Sequence, residues 1–363
     1  MLKKVNSPFP AAAPRSILLL KAHSAGIGDL LRSSASWRAL RNRFPESRLH
    51  LWFLTKNPGS PSRELMARHH LLASFQVSDK RTQGGEGWKK LINDGREIVA
   101  RTRPDLIVDF EPNGFRTSLL SWRLGCWAHA GTVGIAQVPL RRYFYRHPAP
   151  STRAYARAQG MTVPLEYAER DFVALAALGV KREGTPIELR ETEEGRAFGK
   201  QLMKELGSDK RPVLGLNIGC GTPDAVRKRP DLEVLVSLVT ELQRRHGFAL
   251  VLTGAPYEKE LNQQFLSRFR AIGPVLDISG RTNLLELTGA IGACRLFVSS
   301  DSGPYHMAVG LRVPTLAIFR YPNPVHYHRH DWVQCKVAPD GHLRPELLEA
   351  AEKLMQITPP PQP

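Results

Sequence analysis

The chain has 363 residues, 42% hydrophobic and 23% charged, and its 51 Lys and Arg against 34 Asp and Glu leave a formal net charge of +17. This length exceeds one comfortable hydrophobic core and predicts two domains, while the apolar content excludes wholesale disorder. The charge predicts a polyanionic partner (nucleic acid, an anionic membrane surface or a phosphorylated glycolipid), beside the plain alternative of a solubilising surface.

Residues 1–14 begin with basic residues, but prolines interrupt them and "ILLL" is too brief for a signal-peptide core, so they read as a mobile tail. No apolar run approaches the ~20 residues that span a bilayer. From residue 16 onward, apolar β-type runs alternate with helical patterns, the signature of parallel α/β layers. "SILLLKA" (16–22) is a buried first strand, followed by a Gly-containing loop and a helix over about 29–43. "RLHLWFLT" (48–55) and "PDLIVDFE" (104–111) are further strands, the latter with Asp109 and Glu111 near its carboxyl end. A helix over about 114–124 and a short strand at "AGTVGI" continue the pattern.

Residues 136–164, rich in Arg, aromatics and Pro, read as irregular and are too long for a casual connection. The helix "EYAERDFVALAALGV" follows, and alternation restarts at "RPVLGLNIG" (211–219). "GFALVLTG" (247–254), "PVLDISG" (274–280), "RLFVSSDSG" (295–303) and "RVPTLAIF" (312–319) supply four more strands, before a terminal helix and the frayed "ITPPPQP". The predicted class is therefore α/β, with two Rossmann-like parallel-sheet domains facing a cleft. The first spans 15–180, 181–210 form a linker and the first helix of the second half, and the second spans 211–363. Open α/β sheets place ligands at the carboxyl ends of their strands.

Four segments carry candidate chemistry. "VSSDSGPYHMAVG" runs from a strand through a polar turn into a helix, where free amides and the helix dipole favour a phosphate. Asp301 and Ser302 stand in that turn, Gly303 lets the backbone approach closely, and His306 lies one turn in; a plain N-cap at Asp301 or Ser302 is the equal alternative. "NIGCGTPDAVRKRP" offers Gly219, Gly221 and Thr222 for amide access, before the cations Arg227, Lys228 and Arg229. Glu258, just beyond the strand ending at Thr253–Gly254, can accept ribose hydroxyls or simply serve a helix first turn. In the first half, "KAHSAGIGDLL" turns through Ser24, Gly26 and Gly28 to deliver Asp29, either a proton acceptor for an attacking hydroxyl or a cap.

Taken in order, "GIGDLL", "VRKRPDLE", "LTGAPYEKE", "DISGRTNLLEL" and "VSSDSGPYHMAVGLRVPTLAIF" closely resemble glycosyltransferase family 9, the ADP-heptose:lipopolysaccharide heptosyltransferases, over most of residues 16–320. The resemblance implies a GT-B fold, with the acceptor held by the N-terminal half and the nucleotide-sugar by the C-terminal half. It also implies transfer with inversion and without a bound metal or other cofactor. It makes Asp29 the catalytic base, Ser302 and Gly303 the diphosphate contacts, His306 their helix partner, Glu258 the ribose contact and Thr282 a neighbour of the adenine. Gly28, Gly219, Gly221, Thr222 and Asp301 complete the donor set. The family's Lys-x-Trp-Pro is here "RKRP", which puts Arg227, or Lys228 after a one-residue shift, at the lysine position. Where the family continues "GPTDP", this chain has "RYPNPVHYHRH", whose His326, His328 and His330 are read as a metal site only as a remote alternative.

The implied partners are a nucleotide-sugar donor, an anionic glycolipid acceptor and the inner-membrane surface approached from the cytoplasm. Ser24, Arg141, Arg142, Arg146 and Arg153 are candidates for holding the acceptor. Four scattered cysteines, with no C-x-x-C pair, fit a reducing cytoplasm. No zinc-finger or RNP motif supports a nucleic-acid partner. The rival functions are a nucleotide-sugar epimerase of the same fold and a non-catalytic nucleotide-binding module.

Overall fold

The structure is a computed structural model that describes residues 13–22, 26–81, 84–207, 211–220, 227–358 and 361–362. Ser24, Gly221 and Thr222 therefore lie outside the described residues. The chain divides into two compact units, Met1–Thr185 and Pro186–Pro363.

The first unit runs β1 (Ser16–Ala22), α1 (Ile27–Leu31), α2 (Ser34–Arg43), β2 (Arg48–Thr55), α3 (Ser62–Ala67), β3 (Ser74–Asp79) and α4 (Gly84–Thr102). It continues with β4 (Leu106–Asp109), α5 (Phe115–Ala128), β5 (Gly131–Ile135), β6 (His147–Ala149), α6 (Thr152–Ala158) and α7 (Tyr167–Leu175). Its six strands are all parallel in the order β3-β2-β1-β4-β5-β6. Helices cover a parallel sheet on both faces, so its central strands are apolar throughout. Ile17 to Leu20 of β1 are wholly buried. Leu18, Leu20, Trp52 and Leu54 pack against Leu91 and Ile98 of α4 and Leu120 and Leu124 of α5.

The single helix expected over 29–43 is instead two, broken at Arg32–Ser33. The hydroxyl of Ser34 donates to the Leu31 carbonyl and that of Ser36 to the Ser33 carbonyl, local bonds through which serine competes with the helical backbone. The stretch 136–164 is likewise more ordered than expected. It holds a 3-10 turn at Pro139–Phe144, the edge strand β6, and α6, whose N-cap Ser151 accepts from the Ala154 amide.

The second unit runs α8 (Glu193–Glu205), β7 (Val213–Asn217), α9 (Leu232–His246), β8 (Ala249–Thr253), α10 (Lys259–Arg268) and β9 (Val275–Asp277). Then come α11 (Leu284–Gly292), β10 (Leu296–Ser299), α12 (Gly303–Gly310), β11 (Thr315–Phe319), β12 (Val333–Val337) and α13 (Pro345–Gln356). The parallel order β9-β8-β7-β10-β11-β12 repeats the topology of the first unit. α9 shows why these helices form. Asp231 caps its first turn, Val234, Leu235, Leu238, Val239 and Leu242 give it a buried stripe, and Gly247 ends it in the left-handed conformation. α8 is seated on α11 through glycines: a Cβ on Gly289 would lie 1.7 Å from the Gly195 carbonyl oxygen.

In both units the strand order reverses beside the first strand, between β1 and β4 and between β7 and β10. The carboxyl ends of such strand pairs are where doubly wound sheets bind ligands.

Candidate functional site

At the switch point of the first unit, a pocket of about 660 Å³ is lined by the ends of β1 and β4, by α1 and α7, and by the chain around residues 152–165. Asp29, the third residue of α1, stands on its wall. The N-cap of α1 is Gly26, so the capping role considered for Asp29 is not the one it has. Its carboxylate receives Arg32 Nη1 at 3.1 Å, and only 20% of its side chain is exposed. Arg32 is held in turn over the ring of Tyr167, 4.5 Å from the centroid, and Arg170 packs 3.6 Å from the same centroid. Gly28 is buried within α1, in this unit rather than in the second unit with the other donor residues. Arg153 is exposed and lines the same pocket.

Two lining residues, Lys21 and Asp171, were missed by sequence reading: Lys21 Nζ lies 2.7 Å from Asp171 Oδ1, a buried ion pair joining β1 to α7. The one signal for the pair was a lysine closing an otherwise apolar strand. Glu111, named from the sequence, lines the pocket too and accepts the Ala22 amide at 2.9 Å.

Arg141 does not have the acceptor-holding role expected of it. It is fully buried, and its guanidinium donates to the carbonyls of Ile135, Gly114 and Glu111 and to the Tyr145 hydroxyl, 3.5 Å from Asp109. It ties the 3-10 turn to the loop after β4. Arg142 and Arg146 beside it are exposed and stand outside the pocket lining. Asp109 is also sealed off. Burial pushes its carboxyl up to about 6, although the Glu111 amide, Arg141 and the Tyr145 hydroxyl at 2.8 Å all favour the charged form. Burial, followed by the Asp109 charge, raises the Tyr145 phenol well above its usual range.

At the switch point of the second unit, the turn after β10 is bolted to the loop after β7. Asn217 Nδ2 donates to the Gly219 carbonyl at 2.9 Å and to Ser302 Oγ at 3.1 Å, while Thr253 Oγ1 donates to Asn217 Oδ1 at 3.1 Å. Ser302 is the N-cap residue of α12, yet its side chain makes no capping bond; it is taken up by Asn217 and by Ser299 Oγ at 3.0 Å. The first-turn amides of α12, beginning at Gly303, are thus left without a side-chain cap, the arrangement that suits an anion. Asp301 collects polar groups around this turn: Lys228 Nζ at 3.4 Å, Asn323 Nδ2 at 3.3 Å and His326 Nδ1 at 2.8 Å. Of the two cations left open at the family's lysine position, both exposed, Lys228 is the one that reaches Asp301 of the turn. Arg229 lies in the same neighbourhood. Its Nε is buried without a hydrogen-bond partner, and its charge opposes the burial that raises the Cys220 thiol and Tyr257 phenol.

Glu258 is buried, with Oε2 accepting the Ala255 amide at 2.8 Å, so it does serve its local turn. Its other oxygen fills the space above Gly219, where a Cβ would lie 1.7 Å away, which is why glycine stands there. Thr282 is half-buried between β9 and the Asn283 cap of α11. The three histidines after β11 have different main partners, although the rings of His328 and His330 also stack at 6.4 Å. His326 pairs with Asp301, His328 Nε2 meets His306 Nδ1 at 2.9 Å, and His330 stacks on Trp332 at 4.6 Å. Among the described residues no group of three His, Cys, Asp or Glu is placed to hold a metal ion.

Two Rossmann-like units, each with a polar site at its switch point, define an α/β protein of the GT-B class. Residues 113–335 match the sequence profile of glycosyltransferase family 9 (heptosyltransferase), and the chain belongs to that family. Over 89 residues it is 29% identical to the lipopolysaccharide core heptosyltransferase OpsX of Haemophilus influenzae, covering 24% of this chain and 25% of that protein. Over 109 residues it is 27% identical to lipooligosaccharide heptosyltransferase 2 of Campylobacter jejuni, covering 30% and 34%. The chain thus aligns with about a quarter to a third of the length of these relatives.

Among solved structures, it superposes on a family 9 glycosyltransferase of Veillonella parvula with TM-score 0.69 at 20% identity, covering 93% of this chain and 97% of that one. The Escherichia coli ADP-heptose heptosyltransferase II gives 0.65 at 19%, covering 93% and 98%. E. coli heptosyltransferase WaaC, solved with ADP-2-deoxy-2-fluoro heptose, gives 0.60 at 16%, covering 93% and 99%. At these identities the likeness is one of fold.

Proposed function

We propose that the protein transfers a heptose from ADP-heptose, with inversion, to an anionic lipopolysaccharide-core acceptor at the cytoplasmic face of the inner membrane. The observation that carries this reading is Asp29, pinned by Arg32 on the wall of a pocket large enough for a sugar and lined by cationic side chains. In the transfer, the acceptor hydroxyl oxygen bonds to the donor's anomeric carbon as the bond from that carbon to the phosphate oxygen breaks. The hydroxyl proton passes to Asp29, and ADP leaves with the bonding pair. The α12 amides and Lys228 would take up the charge that develops on the diphosphate, work that needs no metal.

The test is ADP release from ADP-heptose with and without a core glycolipid acceptor, in buffer with and without EDTA. Acceptor-dependent, EDTA-insensitive release is expected. Conversion of the donor without acceptor would favour the epimerase reading, and ADP binding without turnover would favour a binding module.

A further inference from the structure

We propose that residues 115–163 form the surface by which this protein docks on an anionic lipid bilayer. The inference deepens the membrane part of the proposed function. Its test uses neither donor nor acceptor, so it can fail separately from the transfer chemistry.

The argument starts from charge. In a chain where more than one residue in five is charged, the stretch from Pro112 to Leu165 contains seven arginines and not one Asp, Glu or Lys. One of the seven, Arg141, is consumed inside the fold; Arg116, Arg123, Arg142, Arg146, Arg153 and Arg157 are exposed. The same stretch also carries every exposed large hydrophobic side chain found among the described residues of the first unit. Such side chains scattered singly over a surface need no explanation, but their concentration in one arginine-rich, carboxylate-free segment does.

Structure joins the pieces. On α5, Leu120 and Leu124 face the core, while Phe115, Leu119, Trp122 and Cys126 follow one another at i, i+4, i+7 and i+11 on the outer side. Phe115 and Trp122 are each 47% exposed. The 3-10 turn packs on the start of this helix through Phe144, 6.2 Å from Phe115, and Arg141 fastens it to the Gly114 and Glu111 carbonyls. Held in this way, the turn presents Leu140 at 65% and Tyr143 at 77% exposure, with the guanidinium of Arg142 6.0 Å from the Tyr143 ring centre.

This is the composition of an interfacial surface: aliphatic and aromatic groups to enter the headgroup boundary, and arginines around them to meet anionic phosphates. Exposed Val138 and Leu140 would gain nothing from a nucleic-acid backbone, which is why the bilayer is the favoured polyanion. The surface also borders the Asp29 pocket. Asn113, Gln137 and Arg153 line that pocket, and Val163 both lines it and is half-exposed. A lipid-borne acceptor would thus meet the pocket while its bilayer meets the rim.

The experiment is co-sedimentation of the full chain with vesicles of phosphatidylcholine, with and without phosphatidylglycerol, across a range of salt. Binding only to the phosphatidylglycerol vesicles, weakening with salt, is expected. Arg142→Gln with Arg146→Gln should lower partition about 25-fold, about fivefold per arginine, whereas Arg270→Gln, an exposed arginine of the second unit, should change it by less than about twofold. Leu140→Ser with Tyr143→Ser should weaken binding without altering its salt dependence, and their exposure leaves folding untouched. The proposal is overturned by absence of vesicle binding, by an equal loss in Arg270→Gln, or by tighter binding to duplex DNA that the same arginine pair abolishes.

Discussion

Replacing Asp29 by asparagine separates a catalytic carboxylate from a structural one. Asparagine keeps an oxygen that can accept from Arg32, so the change turns a charge-assisted bond at 3.1 Å into an ordinary one and should cost about 1 kcal/mol of stability. For a unit of this size that lowers the melting temperature by about 2–4 °C. Loss of a positioned proton acceptor instead slows transfer ~10²–10⁴-fold, about 3–5 kcal/mol in the barrier. The second effect exceeds the first, so slowed turnover in a protein that still melts near the wild-type temperature cannot be blamed on unfolding. The assay is kcat for ADP release at saturating donor and acceptor, beside a thermal melt and a donor-binding isotherm on the same preparation. Glu111→Gln and Asp171→Asn, the other acidic residues lining the pocket, serve as controls. Asp109 needs no such control, because it is sealed beneath Tyr145 and Arg141. Turnover by Asp29→Asn within about threefold of wild type would refute the assignment.

Three further outcomes are expected. Arg141→Met should destabilise the first unit by about 3–5 kcal/mol in denaturant titration, because it strands the buried Asp109 and three carbonyls, while exposed Arg142→Ala should stay within about 0.5 kcal/mol. The Asp109 carboxyl, raised to about 6 in the folded state, holds protons that the unfolded chain releases near its ordinary value. Its contribution to stability is therefore complete at low pH and is lost as pH rises through about 6; melting temperatures measured against pH should show that decline in wild type and lose it in Asp109→Asn. Lys228→Ala should raise the donor KM by about tenfold or more, with Arg227→Ala within about twofold of wild type, which steady-state kinetics would decide.

What was legible in the sequence follows from what each feature depends on. Central strands of a parallel sheet must be apolar on both faces, so 16–22 and 48–55 announced themselves, whereas the edge strands β3 (SFQVSD) and β12 (VQCKV) are half-buried and polar and did not. α4 was overlooked although Trp88, Leu91, Ile98 and Val99 recur at helical spacing along it; the paired glycines at its start masked the pattern. The site divides in the same way. Asp29, Gly219 and Ser302 could be picked out because a strand leads directly into a loop or helix there, although the distant partners of Gly219 and Ser302 could not. Residues whose role is set by a partner far along the chain could not. Asn217 reaches Ser302 across 85 positions, Lys21 reaches Asp171 across 150, and Arg141 is removed from the surface by carbonyls that lie 6 to 30 residues before it. An arginine in an aromatic, proline-rich stretch looks the same in sequence whether it meets solvent or a ring of carbonyls. That difference decides which arginines are free to hold a ligand. Of the four arginines proposed as acceptor contacts, Arg141 is spent inside the fold and Arg153 lines the pocket that holds Asp29, while Arg142 and Arg146 join Arg116, Arg123 and Arg157 on the exposed surface of this stretch.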